Sequence, residues 1–524
     1  MEIDTSHNFT KQFPRNLAAN IGYFVVNIIV GILLVPYFVS TLGVAAYGLI
    51  PLATSITGYV AIIVQSLNTA VSRFLTVDLQ REDYTAANRT FNTAFFGLTA
   101  VVLLMIPVVI AVAYYVPVIF SVPSGQENGS TLLFLGVCTA LLLRSWSGNF
   151  TVQLFAYNRL DLQNIVNLTN FIVQTGLIVL SFTLFGPNLA FVGGAYIAGA
   201  LVASAISIVL AKRICQHLSI SVRSFDRSKI RDLCGMGWWV SVGYIGGLLF
   251  SNIDLIVVNM IFGAPSAGEY AIAQQWSILI QTIGGLLAGI LTPMVISYYA
   301  RGQIETLTRV LKSSIKMMGL ALALPIGYIC GFARELITIW VGEERAFLAL
   351  LVVILVLPQL INQVVTPLLS VNVAYNRTRI PGIVTILMGI LNLLLAIILS
   401  LFTDLGYYGV ALAGIIIVTF KHAFFNPWYA GRILGIPTRS ISAFILPGII
   451  ATILVWGVTA IISNIFVVTT LSSLISIGSI ITIIYLVIMW SVGLDNYERH
   501  LILSMIPTNL RNIFEAYLQI PFKQ

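Results

Sequence analysis

Charge is scarce in this chain. Only 9% of its residues are Asp, Glu, Lys or Arg, against about 25% in soluble proteins. Hydrophobic residues make up 58%, and the mean hydropathy is +0.97. So little charge cannot keep 524 residues in water, so the solvent must be lipid. Histidine and cysteine are rare as well, four of each. Cys138, Cys215, Cys234 and Cys330 lack pairing or metal-ligand spacing and read as buried apolar residues. No metal site is expected. A Walker lysine loop is missing, which excludes a nucleotide-driven motor within the chain. Long exterior loops are missing too. The longest run only over about 120–130 and 334–346, too short for the catalytic loop of a membrane polymerase or ligase. The expectation is therefore a protein that is not an enzyme and has no catalytic residues. The first sixteen residues are polar and lack the short apolar core of a cleaved signal peptide, so the first apolar stretch should serve as its own insertion signal.

What is present is a long series of apolar segments. A spanning helix needs roughly 20 mostly apolar residues. By that rule the chain predicts fourteen spans, near 16–40, 45–72, 91–116, 131–157, 163–185 and 190–211, then 236–261, 267–298, 313–332, 347–374, 381–402 and 408–431, and a terminal pair near 441–463 and 470–492. Pro107, Pro117 and Pro325 fall inside spans three and nine. Charge placement supports the count, because cytoplasmic loops collect Lys and Arg. All but four of the 27 Lys and Arg lie on, or at the edge of, the two tails and the loops after even-numbered spans. The exceptions are Arg334 and Arg345 on the other side, and Arg144 and Lys421 inside spans. Both termini are therefore expected in the cytoplasm. Insertion topology explains the net charge of +8, and no nucleic-acid partner is needed.

The tetrapeptide Ala-Tyr-Asn-Arg occurs at 156–159 and again at 374–377, each copy after a long apolar stretch and before another. Asn164-Ile165-Val166 matches Gly382-Ile383-Val384 at nearly the same offset, and Arg89 matches Arg309. This predicts an all-α integral membrane protein with two parallel six-helix lobes around a central cavity. The N-lobe covers 1–215 and the C-lobe 216–432, including a basic linker. Residues 433–524 carry the terminal helix pair and an amphipathic tail on the cytoplasmic interface.

Ionisable groups inside the hydrocarbon are costly and usually face a polar interior. Arg144 lies mid-span with Ser145, Ser147, Asn149 and Gln153 on the same helix. Lys421, beside His422, lies mid-span in the second half. Asp254 lies in span seven. Glu269 opens span eight with Tyr270 and Gln274, with Gln281 deeper, and Arg73 closes span two after Asn68. Each has a plainer reading. Arg144 would pair with Asp254 or Glu269 as helix glue. Arg73 and Glu269 would snorkel to water, and His422 would be a packing residue. Two mid-membrane cations against one clear anion point to an anionic cargo, held by charge-assisted bonds to phosphate oxygens. The expected substrate contacts are Arg144, Lys421, Arg73, Asn149, Gln153, Asn68, Gln274 and Gln281. The expected coupling or gating residues are Asp254, Glu269 and His422.

The stretch from Val35 to Leu49, VPYFVSTLGVAAYGL, together with Leu67-Asn68-Thr69-Ala70-Val71-Ser72-Arg73-Phe74, resembles the opening of the polysaccharide transporter family. These are the Wzx-type oligosaccharide-lipid flippases of the multidrug/oligosaccharidyl-lipid/polysaccharide (MOP) superfamily. Asn252-Ile253-Asp254, Phe262-Gly263, Gly268-Glu269-Tyr270-Ala271 and Phe425-Asn426-Pro427-Trp428-Tyr429 are similar to later family segments. The resemblance implies alternating-access transport of an undecaprenyl-pyrophosphate-linked oligosaccharide across a bacterial inner membrane, for O-antigen and lipopolysaccharide, capsule or exopolysaccharide assembly. It implies a cationic cavity, no cofactor beyond a proton or sodium gradient, a monomer, and polymerase and chain-length proteins as partners. Asp254 matches the family's span-seven Asp. Clustered arginines within span one, a mark of the cell-wall precursor flippases, are missing, since Arg15 only borders it. Two alternatives stay open: a multidrug/cation antiporter of the same superfamily, and a membrane enzyme acting on lipid-linked glycan.

Overall fold

The computed structural model describes residues 5–230, 253–375, 377–466 and 468–499, and every element among them is helical. The chain is a multi-pass all-α membrane protein. Twelve described helices are long and apolar enough to cross a membrane. A further 37-residue helix, Val44–Gln80, covers the second expected span. Most of the seventh expected span, like the tail beyond 499, lies outside the described residues. The helices group into two compact units, 1–272 with 382–414, and 273–381 with 415–524.

The first unit contains α1 (Thr5–Leu42), α2 (Val44–Gln80), α3 (Tyr84–Ile119), α4 (Glu127–Ala156), α5 (Leu160–Phe185) and α6 (Leu189–Ile214). It also holds the first part of α7 (Ile253–Ala300), which kinks where Gly263 takes φ +87°, a conformation that glycine adopts freely. Lipid gives no hydrophobic reward for helix contact, so small residues that let backbones approach decide the packing. A Cβ on Gly136 of α4 would sit 2.4 Å from the Gly193 carbonyl oxygen of α6. One on Gly268 of α7 would sit 2.0 Å from the Val44 carbonyl oxygen, beside Gly48. Buried Asn259 adds a two-point clamp, accepting from the Ser121 amide (3.0 Å) and donating to its carbonyl (3.2 Å). On α1 an apolar stripe, Ile21, Val25, Ile29 and Leu33, stays exposed at four-residue spacing, as a lipid-facing surface should.

The first Ala-Tyr-Asn-Arg copy forms the turn from α4 into α5. The Arg159 amide donates to the Leu154 carbonyl (2.8 Å), and Asn158 takes φ +55°, which asparagine tolerates better than most residues. Arg15 and Arg159 both grip Asp161, at 2.9 and 3.0 Å, and Asn16 ties α1 to the same turn through Asn158 and the Asp161 amide. In the second copy the Arg377 amide donates to the Asn372 carbonyl (2.7 Å). The same bond, from the arginine amide to the carbonyl five residues before it, recurs in both copies.

The second unit is built on α8 (Ile304–Gly331), followed by the short α9 (Ala333–Val341). The tenth expected span is broken into three pieces, α10 (Ala349–Val356), α11 (Gln359–Val364) and α12 (Pro367–Ala374). Pro358 and Pro367 remove amide donors at the breaks. Prolines elsewhere, such as Pro107 and Pro325, stay inside continuous helices. Around these breaks polar side chains bond one another and α7, with Gln359 donating to Ser277 (3.0 Å) and Gln363 to Gln359 (3.1 Å), and the Thr366 hydroxyl donates to the Asn362 carbonyl (3.4 Å). α13 (Arg379–Phe402) and the start of α14 (Tyr407–Phe420) return to the first unit. Lys421–Phe425 continues α14 as a π-helical turn and leads into α15 (Asn426–Leu434). The terminal pair, α16 (Leu446–Ile465) and α17 (Leu471–Ile488), packs on α8. Gly319 meets Gly448, and the Tyr328 and Tyr485 hydroxyls, on α8 and α17, each donate across the α8–α17 seam, to the Leu474 and Leu320 carbonyls, at 2.5 Å. Fully buried Glu498 accepts from Lys316 at 2.7 Å, fixing the segment after α17 to α8.

Candidate functional site

In the first unit Arg144 sits halfway along α4. Its Nη2 donates to Asn167 Oδ1 of α5 at 2.5 Å, while its buried Nη1 has no partner among the described residues. Among the described residues no carboxylate pairs with Arg144. One face of the guanidinium is thus anchored, and the other carries an unused donor. Asn149 and Gln153, one and two turns further along, are buried at 1% and 3% exposure. Asn149 Oδ1 and Asn68 Oδ1 are both unpartnered among the described residues, and the two residues line one small cavity of about 200 Å³ with Leu67, Gly97 and Ile230. The Arg73 side chain lies outside the described residues.

Asp254 stands at the start of the described part of α7 and is 7% exposed. Tyr270 donates to its Oδ2 at 3.1 Å and Asn392 to its Oδ1 at 3.5 Å, and both donors are fully buried. Gly414 closes a third side, since a Cβ there would lie 3.5 Å from Oδ2. Among the described residues no Lys, Arg or His forms an ion pair with Asp254. A carboxylate buried this way is costly unless its charge is compensated, and neutral donors compensate it only in part. Asn392 Oδ1, buried beside it, also lacks a partner among the described residues. The pocket therefore has the chemistry to take up a proton or a small cation. Glu269 is half-buried and accepts from Tyr407 at 3.1 Å, away from this pocket.

In the second unit Lys421 is buried at 7% exposure in the π-helical turn. His422 Nδ1 lies 2.8 Å from the Val418 carbonyl of its own helix, so that nitrogen is already used locally. Gln281 donates to Ser277 (3.3 Å), the same hydroxyl that Gln359 meets. Gln274 is half-buried on the same helix. Sequence reasoning missed Gln359, Asn362, Gln363 and Asn372, which the broken span brings against α7 and the π-helical region. The signal was present, because Pro358 and Pro367 bracket a polar run inside an apolar span, and interrupted spans mark binding sites in transporters. A second feature of this unit is an apolar groove of about 720 Å³ along α8, α16 and α17, lined by residues such as Leu320, Ile450, Leu454, Ile480 and Ile484.

The model of the polysaccharide biosynthesis protein family matches residues 14–299, more than half of the chain. The chain belongs to that family. An uncharacterized membrane protein of Bacillus subtilis, EpsK, is 29% identical over 493 residues, covering 94% of this chain and 98% of its own. Two solved structures share the fold. The lipid II flippase MurJ in an inward closed conformation has a TM-score of 0.63 at 14% identity, over 91% of this chain and 98% of its own. An inward-facing multidrug MATE transporter of the MOP superfamily has a TM-score of 0.63 at 15% identity, over 78% and 95%.

Proposed function

We propose that this family member is a flippase that moves a polyprenyl-diphosphate-linked oligosaccharide across the bacterial inner membrane by alternating access. The observation that carries the reading is Arg144, a guanidinium halfway along a spanning helix with one nitrogen anchored and another buried without a partner. A cation held this way inside a membrane is expensive and is suited to a diphosphate, whose oxygens accept charge-assisted bonds. Lys421 supplies a second buried cation from the other half of the sequence repeat. The apolar groove along α16 and α17 suits the lipid tail. The Asp254–Tyr270–Asn392 pocket is the coupling site, taking a proton or sodium ion from the gradient. Both termini face the cytoplasm, the protein works as a monomer, and polymerase and chain-length proteins receive its cargo. A cation antiporter would place carboxylates rather than Arg144 and Lys421 at these depths.

The test is complementation of a strain lacking its own O-unit or exopolysaccharide flippase. Wild type should restore polymer. Arg144→Ala and Lys421→Ala should fail at matched expression, and Asp254→Asn should lose dependence on the ion gradient. Restoration by all three variants at the wild-type level would reject these site assignments. Failure of well-expressed wild type in strains spanning several glycan types would reject the flippase reading.

A further inference from the structure

Unpartnered polar atoms are concentrated where the broken tenth span meets the π-helical region. Asn362 Oδ1, Asn372 Oδ1 and both amide atoms of Asn426 lack any hydrogen-bond partner among the described residues. These three residues are only 5%, 6% and 3% exposed. The Thr419 hydroxyl, two residues before the π-helical run, is also buried and unpartnered among the described residues. α11 packs against Lys421–Phe425, and α12 packs against α15, so these groups share one seam of the second unit. An orphaned polar group is costly in any buried setting and more so in a membrane, where water cannot replace the missing bond. Several in one seam describe a surface built to meet something else.

We infer that this seam reads the sugar part of the cargo, with Asn362, Asn372 and Asn426 as specificity-determining residues for a short stretch of polyhydroxylated rings. The inference rests on the flippase reading above. Its chemistry selects against the other small ligands. A metal cation would be repelled by buried Lys421. A phosphate would be repelled by orphans that are mostly carbonyl oxygens. Sugar hydroxyls suit both kinds of group, because each can donate to an Oδ1 and accept from an amide nitrogen. Size excludes one trapped water. Asn362 and Asn372 lie ten residues apart, about 15 Å along a helical path, whereas a buried water reaches two to four neighbouring groups. The backbone supplies the means of opening. The breaks at Pro358 and Pro367 and the π-helical turn are places where hydrogen bonding is already interrupted, and such turns are common at functional sites.

The experiment measures binding of two probes to the purified full-length protein in nanodiscs. One is undecaprenyl diphosphate carrying the oligosaccharide extracted from the native host. The other is undecaprenyl diphosphate without sugar. Wild type should bind the glycosylated probe at least about tenfold more tightly, since several hydrogen bonds distinguish the two. Asn362→Leu and Asn426→Leu should each remove about tenfold of that preference while leaving the sugarless probe unchanged. Both should raise the melting temperature, because an orphaned amide is replaced by an apolar group, and this shows that the variants fold. Asn362→Gln should keep part of the preference. A preference intact in the leucine variants, equal losses for both probes, or no preference in wild type would overturn the sugar-reading site and leave the flippase reading standing. Binding of neither probe by wild type would overturn both.

Discussion

The fourth and tenth spans hold matching places in the sequence repeat, and the structure builds them differently. Counting back from the two copies of Ala-Tyr-Asn-Arg pairs Arg144 with Asn362, each twelve residues before its alanine, and pairs Gly136 with Ile354. α4 is one unbroken helix of 30 residues, pressed backbone to backbone against α6 through Gly136 and Gly193. Its partner span is cut twice by proline and has a half-buried isoleucine where α4 has the glycine. A charge needs a rigid mount, because a guanidinium that can swing finds a carboxylate or water instead of the cargo. A surface that reads hydroxyls needs the opposite, since it must open around rings of varied shape. One sequence pattern thus gives an unbroken helix carrying a buried guanidinium in one half and a broken helix carrying buried amides in the other.

Exchanging the two residues tests that difference most severely. Arg144→Asn should lower flipping of lipid-linked glycan in proteoliposomes by about 10- to 100-fold, the range for one charge-assisted hydrogen bond. Asn362→Arg should not recover it in the double exchange, because the broken span cannot hold the guanidinium still. Recovery of more than about half the wild-type rate would show that the halves are interchangeable. The next effect falls on stability. Gly136→Ala places a methyl group 2.4 Å from the Gly193 carbonyl oxygen. Backbone cannot yield cheaply, so a loss of about 1–3 kcal/mol is expected, read as a lower melting temperature in detergent. Ile354→Val, at the paired position, should cost no more than about 1 kcal/mol, the lower range for losing one buried methyl. If the two changes cost the same, α4 is not the more tightly mounted helix.

Healing the breaks is the converse. Pro358→Ala restores an amide donor and removes a clash with the preceding turn. It should stabilise the protein while slowing transport severalfold, and the slowing should be greater for bulky glycans than for small ones. A variant both more stable and equally fast on all cargo would mean that the interruption has no role in opening.

Much of this was legible in the sequence, for physical reasons. Hydropathy and the one-sided placement of Lys and Arg depend on single residues, so the membrane class and nearly every helix could be read directly. The repeat was legible because each copy closes with the same backbone hydrogen bond, Arg159 to Leu154 and Arg377 to Asn372. Asp254 and Arg144 stood out because charge is rare at that depth. Their partners did not. Asn392 and Tyr270 lie 138 and 16 residues from Asp254 in sequence, and nothing local marks an asparagine as the neighbour of a distant carboxylate. The breaks in span ten were hidden because proline inside an apolar run is compatible with a continuous helix, as Pro107 shows. The polar contacts that accompany the breaks, such as Gln359 to Ser277, 82 residues apart, belong to the tertiary structure.

The smallest expected effect separates packing from function within α4 itself. Gly148 lies three turns beyond Gly136 on the same helix, and a Cβ there would come 2.6 Å from Asn68 Nδ2. That neighbour is the end of a side chain and can rotate away, unlike the Gly193 backbone. Gly148→Ala should therefore change stability by less than about 0.5–1 kcal/mol, within the ordinary range for a change that its surroundings can absorb. The displaced amide is one of the two that face the small cavity shared with Asn149, so transport should still fall, by about twofold, with the melting temperature unchanged. A loss of stability as large as that of Gly136→Ala would show Asn68 to be a packing residue locked in place. A transport rate equal to wild type with Asn68 displaced would remove it from the cargo path and leave Arg144 as the anchor on that side.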